Sequence, residues 1–287
     1  MLSQKLKYLY LIVALASLSM QLVACGGEKR HHTSPVGYNL AQPYKLAMPL
    51  ELDEISGVTY YAPDSSIMAI NDELGWLYKI HPVNARRTEK WHFSHADDFE
   101  DLVLVDSVFY ALKSNGDIVS FHFKSDSIIA QEHLFPFGKS EFETLYQDTV
   151  TSDLVLICKD CESDKKKLLS VFIYNKYTGA YSKASFDIDA KGIAKALGKK
   201  SMRFKPSAAA IHPITRELYI ISAINKLLVI ADVRGSVLAA HQLNPSIFKQ
   251  PEGLCFTPNG SLIISNESAG NGLANILIYK YQPPKTN

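Results

Sequence analysis

The chain has 287 residues, 47% of them hydrophobic and 21% charged, enough to bury a sizeable core in one domain. Its formal net charge is +1, so bulk attraction gives it no call on nucleic acid, and none is expected as a partner. Fifteen tyrosines and thirteen phenylalanines favour strands over helices.

Residues 1–24 read as a targeting segment. Lys5 and Lys7 precede an apolar run, Tyr8–Ser19, which is shorter than the ~20 residues a membrane-spanning helix needs. Leu22-Val23-Ala24-Cys25-Gly26 resembles the bacterial lipobox, which implies cleavage before Cys25, its lipidation, and a membrane tether for a domain that stays in water. Gly26, rather than an acidic residue, favours the outer membrane of the cell envelope. Residues 25–43 are polar, carry His31-His32, and read as a flexible tether; residues 44–282 read as the folded domain.

From Glu54 onward a pattern repeats: a short apolar arm, a tight turn, a second apolar arm and a polar end. The first copy runs Glu54-Ile-Ser-Gly-Val to Asn71-Asp72, followed by a strand at Trp76–Ile80. The second begins at Phe99-Glu100-Asp101 and ends at Lys113-Ser114, with a third strand at Ile118–Phe123. The third begins at Phe142-Glu143 and ends at Cys158-Lys159, with further strands at Leu168–Tyr174 and Tyr181–Phe186. The fourth begins at Pro206-Ser207, and the fifth is Gln250–Glu267. In the fifth the turn is Thr257-Pro258-Asn259-Gly260, where Asn-Gly supplies the positive φ that a tight hairpin needs.

Equivalent first-arm positions are Ser56, Glu100, Glu143, Ser207 and Glu252, separated by 44, 43, 64 and 45 residues. A period near 45 with about four short strands per repeat predicts an all-β propeller. Five motifs predict five blades, and the stretch 174–204 leaves room for a degenerate sixth. Tyr44–Leu52 is expected to give the last blade its outer strand. The long interval predicts a helical insertion near 189–198, capped by Asp189, with Ala190, Ile193, Ala194 and Leu197 on one face and Gly198 at its end.

In a propeller the first arms line the axis, and their starts meet at one mouth. That mouth is expected to gather Glu100, Glu143, Glu252, Asp72 and Glu267 as metal ligands, with Ser56, Ser207, Lys113 and Lys159 as ligand-binding neighbours. Carboxylates crowded in this way either raise their pKa values or hold a cation, and oxygen donors suit Ca²⁺ before Mg²⁺. Cys158-Lys-Asp-Cys161 reads as a local disulfide or two free thiols, since no second pair completes a zinc site. Cys255 reads as a buried thiol.

Ile55-Ser-Gly-Val, Asp98-Phe-Glu-Asp-Leu, Phe204-Lys-Pro-Ser-Ala and Gln250-Pro-Glu-Gly-Leu with Ser265-Asn-Glu together resemble the SdiA-regulated family of envelope propellers, including its YjiK-like and CarP-like (calcium-regulated, phytase-like) members. The resemblance runs from about Leu50 to Tyr281 and implies a propeller linked to calcium, with phytase-like phosphoesterase activity in some members. Two of the five ring positions are serine here, a departure from an all-acidic site. The expected function is a membrane-anchored propeller that binds Ca²⁺ and an anionic small molecule or an envelope protein at its mouth. The alternatives are a metal-dependent phosphoesterase and a metal-free interaction propeller.

Overall fold

A computed structural model describes residues 32–284 except 126, 162, 163, 165–167 and 269–272. The targeting segment and Cys25 lie outside the described residues.

Five four-stranded antiparallel sheets follow one another along the chain. Blade 1 is β2 (Ile55–Tyr61), β3 (Ser66–Asn71), β4 (Trp76–His81) and β5 (Asn84–His92). Blade 2 is β6 (Phe99–Val105), β7 (Val108–Lys113), β8 (Ile118–Lys124) and β9 (Ser127–His133). Blade 3 is β10 (Ser140–Gln147), β11 (Leu154–Cys161), β13 (Val171–Asn175) and β14 (Ala180–Lys183). Blade 4 is β16 (Ala208–Ile211), β17 (Leu218–Ser222), β18 (Leu227–Ala231) and β19 (Val237–Gln242). Blade 5 takes β20 (Pro251–Phe256), β21 (Leu262–Asn266) and β22 (Asn275–Tyr279) from the end of the chain and β1 (Tyr44–Ala47) from its beginning. The first strands β2, β6, β10, β16 and β20 each pack on the next, and β20 returns to β2. The fold is a five-bladed β-propeller.

The ring closes where the sequence predicts it, by β1 pairing with β22 from Tyr44↔Ile278 to Ala47↔Asn275. The predicted insertion is also present. Helix α1 (Ala190–Ala196) is capped by the Asp189 carboxylate, which accepts the Lys191 N–H at 3.0 Å, and Ala190, Ile193 and Ala194 are buried. Gly198 follows with φ +67°, a conformation side chains resist. The stretch 174–204 holds no sixth blade. It supplies β14, then β15 (Ile188–Asp189), which pairs with β12 (Leu168–Leu169) beside α1. Leu168 and Leu169 thus leave blade 3 for this small sheet, rather than extending β13 as expected.

Each of the five hydrophobic clusters fills one seam between adjacent blades. Along β3, Ile67 and Ala69 face the seam with blade 5, while Met68 and Ile70 face the seam with blade 2. The two-residue period of a strand sends alternate side chains into opposite seams, so inner strands are apolar on both faces. The outermost strands lack that signal: β9 is mostly exposed, and neither it nor β5 is evident from the sequence.

Part of the stretch read as tether is instead packed. Tyr38 and Leu40 are buried in the seam between blades 4 and 5. The Tyr38 hydroxyl donates to the Gly260 carbonyl at 2.5 Å and lies 2.8 Å from Nε2 of His212. A Pro-Gly-containing polar stretch reads as linker, and two apolar anchors are enough to override that. Among the described residues no helix is long and apolar enough to cross a membrane.

Candidate functional site

At the start of the inner strand the ladder slips in blades 1, 2, 3 and 5, while in blade 4 it runs in register from Ala208 to Ile211. In blade 2, Phe99 pairs with Lys113 and Asp101 with Leu112, leaving Glu100 unpaired between them. In blade 3, Phe142 pairs with Cys158 and Thr144 with Ile157, leaving out Glu143. In blade 5, Pro251 pairs with Asn266 and Gly253 with Ser265, leaving out Glu252. Blade 1 slips over Ser56 and Gly57. A bulge re-aims its extra residue away from the alternation of the strand. Three carboxylates are presented in this way at one end of the channel. The small residues beside them allow close packing: a Cβ on Gly57 would lie 2.3 Å from the Leu102 amide nitrogen, and one on Gly253 would lie 2.5 Å from the Ser56 carbonyl oxygen.

A second ring follows from the ends of the second strands. Asp72 N–H bonds to the Glu54 carbonyl (3.1 Å), Ser114 N–H to Asp98 (2.9 Å) and Glu267 N–H to Gln250 (2.9 Å), marking these as equivalent positions. Register adds Lys159 and Ala223. The inner ring is therefore Ser56, Glu100, Glu143, Ser207 and Glu252, and the second ring is Asp72, Ser114, Lys159, Ala223 and Glu267.

The carboxylates act on one another. Burial, then the charges of Glu143 and Asp98, push the pKa of Glu100 up to about 9, against a partial offset from Lys159. Burial, then Glu143 and Glu267, push Glu252 up to about 8. Burial, then Glu54 and Glu267, push Asp72 up to about 7. Glu143 and Glu267 are raised as well, chiefly by burial. Glu143 ion-pairs with Lys159, which also reaches Glu141 at 2.5 Å. The Ser207 hydroxyl donates to Glu143 at 3.3 Å, and its nearness to Glu252 offsets a little of that group's upward shift. The structure thus brings together Glu100, Glu143, Glu252, Asp72, Glu267, Lys159 and Ser207.

Two predicted neighbours point elsewhere. The Ser56 hydroxyl donates to the Phe99 carbonyl at 3.0 Å and stitches blade 1 to blade 2. Lys113 ion-pairs with Asp97 at 2.7 Å and with Glu132 on the outermost strand of blade 2, away from the axis. Register explains the contrast between the two lysines. Lys113 is the partner of Phe99, whereas the partner of Phe142 is Cys158, so Lys159 lies one residue further on. A one-residue offset turns a side chain to the other face.

Cys158 and Cys161 form a disulfide, one of the two expected states, and Cys255 is a buried free thiol. Asp164 lies beside the two sulfurs. Among the described residues no three ring carboxylates bring ligand atoms within 4.8 Å of one another. The donor set is all oxygen, and Oδ1 of Asp72 is buried with no hydrogen-bond partner. Such a set fits a hard cation that keeps some of its own water, a coordination Ca²⁺ tolerates.

No family model matches the sequence, and no curated protein matches it. Solved structures do. Glutaminyl cyclase from Myxococcus xanthus aligns with a TM-score of 0.58 at 10% identity, over 83% of this chain and 94% of that one. A luciferin-regenerating enzyme aligns at 0.52 and 9%, over 84% and 98%. Regucalcin, a calcium-binding protein from Agrobacterium tumefaciens, aligns at 0.51 and 12%, over 86% and 96%. The likeness is one of fold. These propellers share an architecture with this chain at identities too low to carry a site across.

Proposed function

We propose that the chain is an envelope propeller of the SdiA-regulated kind, tethered to the outer membrane through lipid on Cys25. In this reading it binds a divalent cation, Ca²⁺ first, at its acidic mouth, together with a small ligand or a protein partner. The observation that carries the cation is the charge balance of the two rings. Five carboxylates (Glu100, Glu143, Glu252, Asp72 and Glu267) face one lysine, Lys159, and three of the five are pushed up to pKa values of about 7 to 9. A cation relieves that repulsion, and Glu100, Glu143 and Glu252 would hold it with Asp72 and Glu267 behind them. Bound there, Ca²⁺ supplies a fixed positive centre that can anchor an anionic group. Regucalcin is a calcium-binding protein of the same fold, which is consistent with this reading.

Phosphoester hydrolysis is the second reading, and the geometry favours it less. The lysines expected to hold phosphate are both engaged, Lys113 by Asp97 and Glu132, and Lys159 by Glu141 and Glu143. The deciding experiment is calorimetric titration of the purified full-length chain with Ca²⁺. Saturable binding that weakens by about 10-fold or more in Glu252→Gln supports the site. An unchanged affinity in that variant removes it.

A further inference from the structure

Besides the ion-paired Lys159, one further lysine lies close enough to the rings to feel their charge. Lys226 lies in the turn between β17 and β18, on the mouth side of blade 4. Its ammonium donates to the Lys249 backbone carbonyl at the entry to β20. Glu252 is the charge that acts on it. Among the described residues no carboxylate lies within ion-pair distance of it, whereas Lys113 and Lys159 each have two.

The backbone at Lys226 is left-handed, with φ +51°. The other non-glycine residues with positive φ lie in turns at the opposite face, so among the described residues Lys226 is alone in this at the mouth. A lysine held there is strained in a way that glycine would avoid. Asn225, a residue type better suited to that conformation, is held beside it instead: its backbone N–H donates to Ser222 Oγ (3.1 Å) and its side-chain amide to the Arg203 carbonyl (3.0 Å). The turn thus carries a long cationic side chain at its strained position and aims it at the start of β20.

We propose that Lys226 is the anion-recognising residue of the mouth, and that the ligand is a small molecule with an oxyanion group, carboxylate or phosphate, bound together with the divalent cation. The inference rests on the cation reading above. An oxyanion entering beside Glu252 would be repelled by the bare rings. With a cation bound it meets positive charge from the rings and from Lys226 at once. Burial holds the Lys226 ammonium below its ordinary pKa, so an anionic partner is a net gain for it.

The test uses the full-length chain and two probes, methyl phosphate and malonate, titrated by calorimetry with and without Ca²⁺, after Ca²⁺ alone. Wild type is expected to bind at least one probe when Ca²⁺ is present, and the probe that binds identifies phosphate or carboxylate as the source. Lys226→Met is expected to weaken the probe by about 10-fold while Ca²⁺ affinity stays level or tightens, because a nearby positive charge is gone. Lys226→Arg, which keeps the charge, retains most of the affinity, and circular dichroism shows that both variants fold. The inference is overturned if wild type binds neither probe with Ca²⁺ bound. It is equally overturned if Lys226→Met binds the probe as wild type does, or loses Ca²⁺ and probe together. If wild type binds no Ca²⁺ but its probe binding still depends on Lys226, the anion assignment stands and the cation reading falls.

Discussion

The two ends of the same five inner strands are built on opposite principles. At the mouth four of the five ladders slip, and three of them present Glu100, Glu143 and Glu252, beside Asp72 and Glu267. At the other end the ladders are regular, and Val58, Leu102, Leu145, Ile211 and Leu254, with Thr59, Gln147 and Thr149 among them, line a cavity of about 150 Å³. One end gives up pairing to present charge, and the other keeps pairing and buries carbon. The difference teaches that strength and chemistry in this ring are separable along one strand, within a few residues.

That separation can be broken by substitution. Leu145→Ala removes a side chain that is 1% exposed and is expected to cost about 2–5 kcal/mol in denaturant unfolding, while Ca²⁺ affinity stays within about 2-fold. A matched loss of affinity would show that the two ends are coupled. Glu100→Gln is the converse: Ca²⁺ affinity falls by about 10-fold or more, read by calorimetry, with stability without calcium unchanged or higher at pH 8.

Acidity sharpens the same contrast. Glu100, Glu252 and Asp72 have folded pKa values of about 9, 8 and 7, above ordinary values of 4.5, 4.5 and 3.8. Between those limits the folded chain holds protons that the unfolded chain has released. The contribution of these three groups to stability without calcium is therefore fully present below about pH 4 and is lost as pH rises through 7 to 9. Thermal melts without calcium should fall by about 3 °C or more from pH 5 to pH 9, and added Ca²⁺ should recover most of that loss at the alkaline end. A flat melting profile would mean that the carboxylates are not crowded. The smallest effect is expected at Ser56→Ala. It loses one buried hydrogen bond to the Phe99 carbonyl, about 1 kcal/mol, and leaves Ca²⁺ affinity alone because Ser56 faces backbone rather than the ring.

Much of the fold was legible because its signals are local and periodic. The repeating first arms, the Asn-Gly turn, the Asp189 cap and the closing role of Tyr44–Ala47 all leave marks in a short window. The outer strands β5 and β9 left none; β9 is mostly exposed, and a strand largely in water needs no apolar alternation. In the site, spacing alone located the inner-ring glutamates. It did not show the bulges that turn them inward, which are a property of pairing between strands. Lys113 and Lys159 looked equivalent because both end a second arm, and only register reveals the one-residue offset. Lys226 escaped because a lysine in a turn resembles any solvated loop residue. The Tyr38 strap escaped because its partners, His212 and Gly260, lie far along the chain.

The fifth sheet has a consequence for how the chain is made. Its edge strand, 44–47, and the strand it pairs with, 275–279, are separated in the chain by all four other blades. Synthesis must pass residue 279 before the circle can be joined, and until then the earlier strand waits with its backbone groups unclaimed. A molecule cut short by even its last strand would stay an open arc, with two raw sheet edges offered to any neighbour.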